Sequence, residues 1–246
     1  MDGVPPSVPR GFASARAALA GGLVEGVGAP AFVLGASYVG IGALARDADI
    51  SLFFIAVSTV AIYALPAQVV LVELWQVGTA LPALVLAVMM TSARFLPMTA
   101  TLMPQLRHER WAAPHYLLAA HGVAMTGWAV TMRRAPDLPA DQRLPFFLGY
   151  TVVLLAGSVL GTGVGYVLSA YLTDFVTLGL VFLNPVFFTL IMIRETRARL
   201  GILALISGAT IGPPVHLVVP EWSLLVAGIL AGGLAFAIDE AMGRAP

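Results

Sequence analysis

Cutting this chain at every Asp, Glu, Lys and Arg leaves eight long charge-free runs, 26–45, 50–72, 74–93, 111–132, 144–173, 175–193, 200–220 and 222–238. Each is close to the roughly 20 apolar residues that a membrane-spanning helix needs. A segment in lipid must satisfy every backbone N–H and C=O internally, which helices do and open strands do not. An outer-membrane barrel would show segments of about ten residues alternating in polarity, and stretches such as Leu81–Met90 do not alternate. Composition agrees: 59% of the 246 residues are hydrophobic and 11% are charged, against roughly a quarter charged in a soluble domain. The chain therefore reads as an all-α polytopic transmembrane helix bundle of about eight helices, seven if one run fails to cross. Residues 1–12, with Pro5, Pro6 and Pro9, read as a disordered tail, and 13–246 as a single transmembrane domain. No short apolar core with a small-residue cleavage site follows the tail, so no cleaved signal peptide is expected.

Orientation follows from arginine, because the chain has no lysine. If the N-terminus is cytoplasmic and all eight runs cross, Arg10, Arg16, Arg133, Arg134, Arg143, Arg194, Arg197, Arg199 and Arg244 fall inside, and Arg46, Arg107 and Arg110 outside. Nine against three satisfies the positive-inside rule, so both termini are expected in the cytoplasm. Without cysteine there is no disulfide framework and no thiolate chemistry. A net charge of zero with no basic cluster gives no sign of a nucleic-acid partner. The chain also lacks H-E-x-x-H, G-x-S-x-G and paired acids within a run. Neither a zinc site, a nucleophile elbow nor an aspartyl dyad can be assembled from such parts, so no metal, cofactor or enzymatic activity is expected.

Matching prolines rather than bulk hydrophobicity exposes an internal repeat. Pro66 pairs with Pro185 at an offset of 119, and Pro97 and Pro104 pair with Pro213 and Pro220 at an offset of 116. In each half, about 26–133 and 144–240, a Gly-rich helix (Gly35, Gly40, Gly42; Gly157, Gly161, Gly165) comes first. A helix with a central proline, a segment ending in two prolines and a plain apolar helix follow it. Four spans per half give parallel halves. Inverted halves require one element per half that fails to cross, and the third elements, 77–104 and 200–220, are where that is expected. A proline inside a helix removes one backbone hydrogen bond, so Pro66, Pro97, Pro185 and Pro213 are candidate helix breaks of the kind that line transporter sites near the midplane. Kinked packing without any site is the alternative. Gly157, Gly161 and Gly165 recur every four residues on one helix face and read as a close helix contact.

Polar residues at membrane depth usually face a bundle interior or a water-filled cavity. Three groups stand out: Tyr63-Ala-Leu-Pro66-Ala-Gln68, Thr91-Ser92-Ala-Arg94 and Asn184-Pro185. Arg94 is the only charge between Glu73 and Arg107. Its planar fork of donors matches a carboxylate bidentately, so it reads as the anchor for the carboxylate of an amino-acid-like substrate. The alternative is an arginine that caps helix carbonyls or snorkels to an interface. On the first reading Gln68, Tyr63, Ser92, Thr91 and Asn184 line the pocket beside it. Glu73 reads as an interfacial charge, His121 as a neutral histidine hydrogen-bonded between helices, and Asp174 as solvated.

The order of these residues, with Arg94 about 25 residues after Gln68, then Pro104, then Leu183-Asn-Pro185-Val-Phe187-Phe188, resembles the AzlC family of bacterial branched-chain amino acid exporters over roughly residues 20–240. The Tyr63–Gln68 stretch is similar to the family's Y-A-G-A-S-Q-type element. Arg94 matches the arginine of its N-x-R-H or D-x-R-H motif, and Pro185 with Phe187 or Phe188 is similar to a late P-x-hydrophobic-F element. The resemblance implies a multi-pass permease of the bacterial cytoplasmic membrane, the large subunit of a two-component exporter. Such a subunit works with a small AzlD-type membrane protein to move valine-like amino acids outward, with Gln68 and Arg94 carried over by position. The chain departs from the family at Ser92, where Asn or Asp is usual, and at Phe95, where His is usual. Ala124-Met125-Thr126 replaces a T-D-E-like element, so that acidic group is absent. Two other function classes stay open beside the exporter: a noncatalytic membrane scaffold or assembly subunit, and an intramembrane enzyme.

Overall fold

The computed structural model describes residues 11–195, 199–219 and 223–243. Among them there is no strand, and there are twelve α-helices where the charge-free runs predicted seven or eight. The excess arises because several runs break or fold back.

The frame is a pair of rods. Helices α1 (Ala15–Gly26) and α2 (Ala29–Asp47) lie end to end against the long helix 140–168, and small residues set that contact. A Cβ on Gly22 would collide with the Phe146 carbonyl, on Gly149 with that of Leu19, on Gly42 with that of Thr162, on Gly161 with that of Gly35 and on Gly165 with that of Val39. Only glycine lets two helix backbones approach so closely. The contacts climb both rods together, from Leu19 beside Gly149 to Gly35 beside Gly161 and Val39 beside Gly165. The long helix therefore runs parallel to the α1–α2 rod. Its start marks the lower end of the molecule and its finish the upper end.

The second charge-free run is a helical hairpin. Helix α3 (Leu52–Ile62) begins at the upper end, next to Ile50, whose N–H donates to the Ala45 carbonyl at 2.9 Å. It stops at Tyr63, which adopts the left-handed conformation with φ 43°. Helix α4 (Leu65–Gln76) then turns back. Gln68 Nε2 donates to both Ser58 Oγ and Thr59 Oγ1 at 3.0 Å, and the rings of Phe54 and Trp75 lie 5.5 Å apart. At 1.5 Å per residue a straight helix would separate Phe54 from Trp75 by about 30 Å.

Helices α5 (Leu81–Ser92) and α6 (Phe95–Leu106) form one rod bent by 49°. The rod descends to the lower end, where Arg143 Nη1 donates to the Gln105 carbonyl at 3.3 Å. Helix α7 (Ala113–His121) starts at that same end, because Arg110 pairs with Asp141 at 3.7 Å. It climbs until Gly122 meets Thr151, ten residues and so about 15 Å above Asp141 along the long helix. Helix α8 (Met125–Arg134) returns, Arg134 bonding Glu25 at 2.9 Å, and a 3₁₀ turn at Ala135–Asp137 leads into α9 (Ala140–Leu168), the long helix of the frame. The fourth run is thus a second hairpin, entering from the opposite end to the first. Their tips touch, with His121 Nε2 2.8 Å from the Val60 carbonyl. The break at Tyr63–Ala64 deprives that carbonyl of its helical donor, and the histidine replaces it.

After a 3₁₀ turn at Ser169–Tyr171, α10 (Asp174–Glu195) packs on α2, with Gly40 against Val181 and the Thr177 carbonyl. Helices α11 (Arg199–Val218) and α12 (Ser223–Gly243) pack chiefly on each other. Three rods, α1–α2, α5–α6 and α9, therefore run the height of the frame, and α10, α11 and α12 are helices of 22, 20 and 21 residues. The eight-crossing expectation is corrected accordingly, and Arg107 and Arg110 lie at the same end as Arg133, Arg134 and Arg143. The expected non-crossing third element, 77–104, is instead the bent full-height rod. Helices α10 and α11 continue unbroken through Pro185 and through Pro213 and Pro214. The breaks fall ahead of Pro66 and Pro97, and at Gly122–Ala124, where there is no proline. Proline disfavours helix in the residue before it and fits the first turn of a new helix, so Pro66 and Pro97 open α4 and α6. Most of the tail expected over 1–12 lies outside the described residues.

Candidate functional site

Both hairpin tips and the bend of the α5–α6 rod meet around an open-sided cavity of about 890 Å³. Tyr63, Ala64, Leu65 and Pro66 come from the first hairpin, Arg94 and Phe95 from the bend, and Ala124, Met125 and Thr126 from the second hairpin. Tyr38 of α2 and the face of α10 from Phe175 to Pro185 close the sides.

Three helices begin at this cavity. Ala64, Arg94 and Ala124 are the N-cap residues of α4, α6 and α8, and no side chain caps any of the three ends. Alanine has no acceptor to offer the first-turn N–H groups. The positive ends of these three helices thus reach the cavity beside the C-terminal ends of α3, α5 and α7, which stop at the same breaks. Tyr63 adds a second signal. A left-handed aromatic residue is uncommon, and here the conformation places a 3% exposed side chain on the cavity wall with its hydroxyl unpartnered. Buried polar groups normally have partners, so this hydroxyl is a candidate ligand contact.

Arg94 stands midway along its rod, 13 residues from Leu81. It is therefore about 20 Å from either end, which is beyond the reach of an arginine side chain. Arg94 is exposed on the cavity wall and is the single charge among the lining residues. Among the described residues its guanidinium has no hydrogen bond and no ion pair; its contact is the face of Phe95, 5.2 Å from the ring centre. Tyr38 lies within electrostatic reach of it.

The cavity brings together Tyr63, Pro66, Arg94 and Pro185 of the residues singled out in the sequence. It leaves out Gln68, which is fully buried and faces α3, where Thr59 in turn meets Thr162 of α9 at 3.2 Å. Gln68 locks the first hairpin against the frame, and its Oε1 has no partner. Replacing it with alanine is expected to lower stability by about 1–3 kcal/mol, measured by thermal unfolding in detergent, with the half-saturating substrate concentration unchanged. Thr91 and Ser92 bond back to the Ala87 and Val88 carbonyls at 2.9 Å and do not line the cavity. Pro97 supports the bend from the third position of α6. Pro213 lies on a separate groove between α11 and α12. Asn184 lies within α10, and its side chain falls outside the described residues. Tyr38 lines the cavity without having been singled out, and so does Thr126, named in the sequence only as part of the stretch that replaces a T-D-E-like element. Tyr38 carried a usable signal, a phenol in a Gly-rich apolar run. Thr126 shows its place only once the second hairpin folds.

The family model described as AzlC protein matches residues 30–172. This stretch runs from α2 to just beyond α9, is more than half of the 246 residues, and includes both hairpins and the bent rod. No curated protein and no solved structure matches the chain. The chain belongs to the AzlC family.

Proposed function

We propose that this chain is a membrane transport protein of the bacterial inner membrane, the large subunit of an exporter for branched-chain or similar small hydrophobic amino acids. On this reading it works with a small AzlD-type membrane subunit. The observation that carries it is Arg94, a cation without a hydrogen bond or ion pair among the described residues, on the wall of an apolar cavity where broken helices meet. Broken helices around a mid-membrane site, with helix N-termini turned toward an anionic substrate group, are a recurring transporter arrangement. Arg94 holds the carboxylate, Tyr63 is its neighbour, and the aliphatic side chain lies against α10.

Among the described residues two helices are long and apolar enough to cross a membrane, and the bent α5–α6 pair makes a third if it is one span. Helices α10, α11 and α12, with 22, 20 and 21 residues, have the length of a span. The two hairpins act as re-entrant elements whose irregular tips are sheltered by protein. Arg16, Arg107, Arg110, Arg133, Arg134 and Arg143 gather at the lower end, against Arg46 at the upper; Arg10, Arg197 and Arg244, and the side chains of Arg194 and Arg199, lie outside the described residues. By the positive-inside rule the lower end is cytoplasmic. The chain has no cysteine, so single cysteines report sidedness directly. With His108→Cys and Asp137→Cys, an impermeant thiol reagent applied outside is expected to label neither, and with Val77→Cys it is expected to label the protein. Labels at 108 and 137 on opposite sides would restore eight crossings. Efflux of preloaded labelled valine from cells without their own exporters, with and without the small partner, tests the transport reading.

A further inference from the structure

Where the second hairpin leans on α9 below the cavity, the packing holds hydroxyls that nothing pairs. Tyr63 Oη, Tyr150 Oη and Thr151 Oγ1 are buried, sealed from solvent and without a hydrogen-bond partner. Tyr63 stands on the cavity wall, Tyr150 lies within electrostatic reach of it, and Thr151 sits beside Gly122 and Gly127 of the second hairpin. Leaving a buried hydroxyl unpaired is unfavourable. Shape does not demand these hydroxyls, because Phe146 and Phe147, one turn earlier on α9, are as fully buried. They gain partners when the seam takes up water. The lower edge of the seam is held by an ion pair. Helix α8 descends from the cavity at Ala124 to Arg134, whose Nε and Nη2 donate to Glu25 Oε2 at 3.1 and 2.9 Å. The guanidinium lies 5.8 Å from the centre of the Phe146 ring, which stacks on Tyr150 at 6.4 Å. Glu25 and Arg133 are both within electrostatic reach of Tyr150. The pair ties α1 of the frame to the end of the hairpin, and its side chains are 31% and 37% exposed. A partly solvated pair of this kind breaks at little cost.

We propose that this seam is the lower entry to the cavity, that Glu25 and Arg134 are its clasp, and that opening the clasp brings water to Tyr150 and Tyr63. This rests on the cavity being the transport site and the lower end being cytoplasmic. The chain has no cysteine, so Thr151→Cys, close in size to the native side chain, reports on the seam directly. The test uses the full chain in inside-out vesicles, with the small partner where efflux requires it, and a hydrophilic thiol reagent added from the cytoplasmic side. Labelling of Thr151→Cys is expected, and it should run about two- to fivefold faster when Glu25→Gln weakens the clasp. Ala119→Cys, buried in the apolar cluster around Phe147, should stay unlabelled in both backgrounds. Tyr150→Phe keeps the ring and removes the hydroxyl that only the open seam satisfies. It should lower the maximal rate of valine efflux about three- to tenfold, with the half-saturating concentration unchanged and the melting temperature equal or higher, whereas a purely structural hydroxyl would leave the rate alone. No labelling of Thr151→Cys, labelling that Glu25→Gln does not accelerate, or full efflux with Tyr150→Phe overturns the inference while leaving an exporter. Absence of valine efflux from the folded native chain overturns the transport reading, and the labelling, which needs no substrate, still decides whether the seam opens.

Discussion

Replacing Arg94 with alanine is expected to reduce valine efflux about 10- to 100-fold while leaving the protein folded. A hydrogen bond to a charged group contributes about 1.5–3 kcal/mol, and a bidentate pair with a carboxylate lies at the upper end of such interactions. The same residue makes no ion pair or hydrogen bond within the described protein, so its removal leaves no orphaned partner. Thermal stability in detergent should therefore stay the same or rise slightly. Arg94→Lys keeps the charge without the planar fork and should recover only part of the flux. If the variant instead lost the small partner or unfolded, Arg94 would be an assembly residue, and the scaffold reading would replace the exporter.

The second large effect belongs to the frame. Gly165→Val should abolish accumulation of folded protein, whereas Gly163→Ala, two residues away on the same helix, should be neutral or stabilising. A Cβ at Gly165 meets the carbonyl, carbonyl carbon and Cα of Val39, while at Gly163 nothing lies within 4 Å. Backbone cannot move aside as a side-chain tip can, so α9 would have to leave α2 along its length. Overpacking of this kind typically destabilises by about 1–3 kcal/mol even where neighbours can adjust. At Gly163 the alanine gains up to about 1 kcal/mol of helix propensity. The size-exclusion profile of each variant, with its melting temperature in detergent, separates the two outcomes. Equal tolerance at both positions would mean that α2 and α9 do not touch.

The polar residues at depth were legible because an arginine in an apolar run has few reasons to exist. Their separation into site and scaffold was not. Gln68 and Arg94 look alike in the sequence, each a polar group near a proline, yet Gln68 points at Ser58 and Thr59 and Arg94 at the cavity. The difference lies in which way α4 leaves Tyr63, and one residue's left-handed φ sets it. Thr91 and Ser92 were drawn to the site by adjacency, but hydroxyls in a helix readily bond the carbonyl four residues back, and both do. The proline repeat marked where helices start as much as where they break, which is why Pro66 and Pro97 open α4 and α6 while Pro185 and Pro213 lie within unbroken α10 and α11.

By itself the sequence determined that this chain is helical and where its apolar stretches begin and end, because backbone satisfaction in an apolar setting leaves helices as the single choice for such runs. It also determined that α9 would pack closely through Gly161 and Gly165, since their spacing of four puts them on one helix face. Hydrophobic length cannot tell a span from a hairpin, because two half-length helices bury as much apolar surface as one full-length helix. The tertiary structure alone decided that the second and fourth runs fold back. Contacts far apart in the chain settled it: Phe54 with Trp75, Arg110 with Asp141, and His121 with Val60. Only after those folds form do Ala64, Arg94 and Ala124, 60 residues apart along the chain, turn three helix ends onto one cavity.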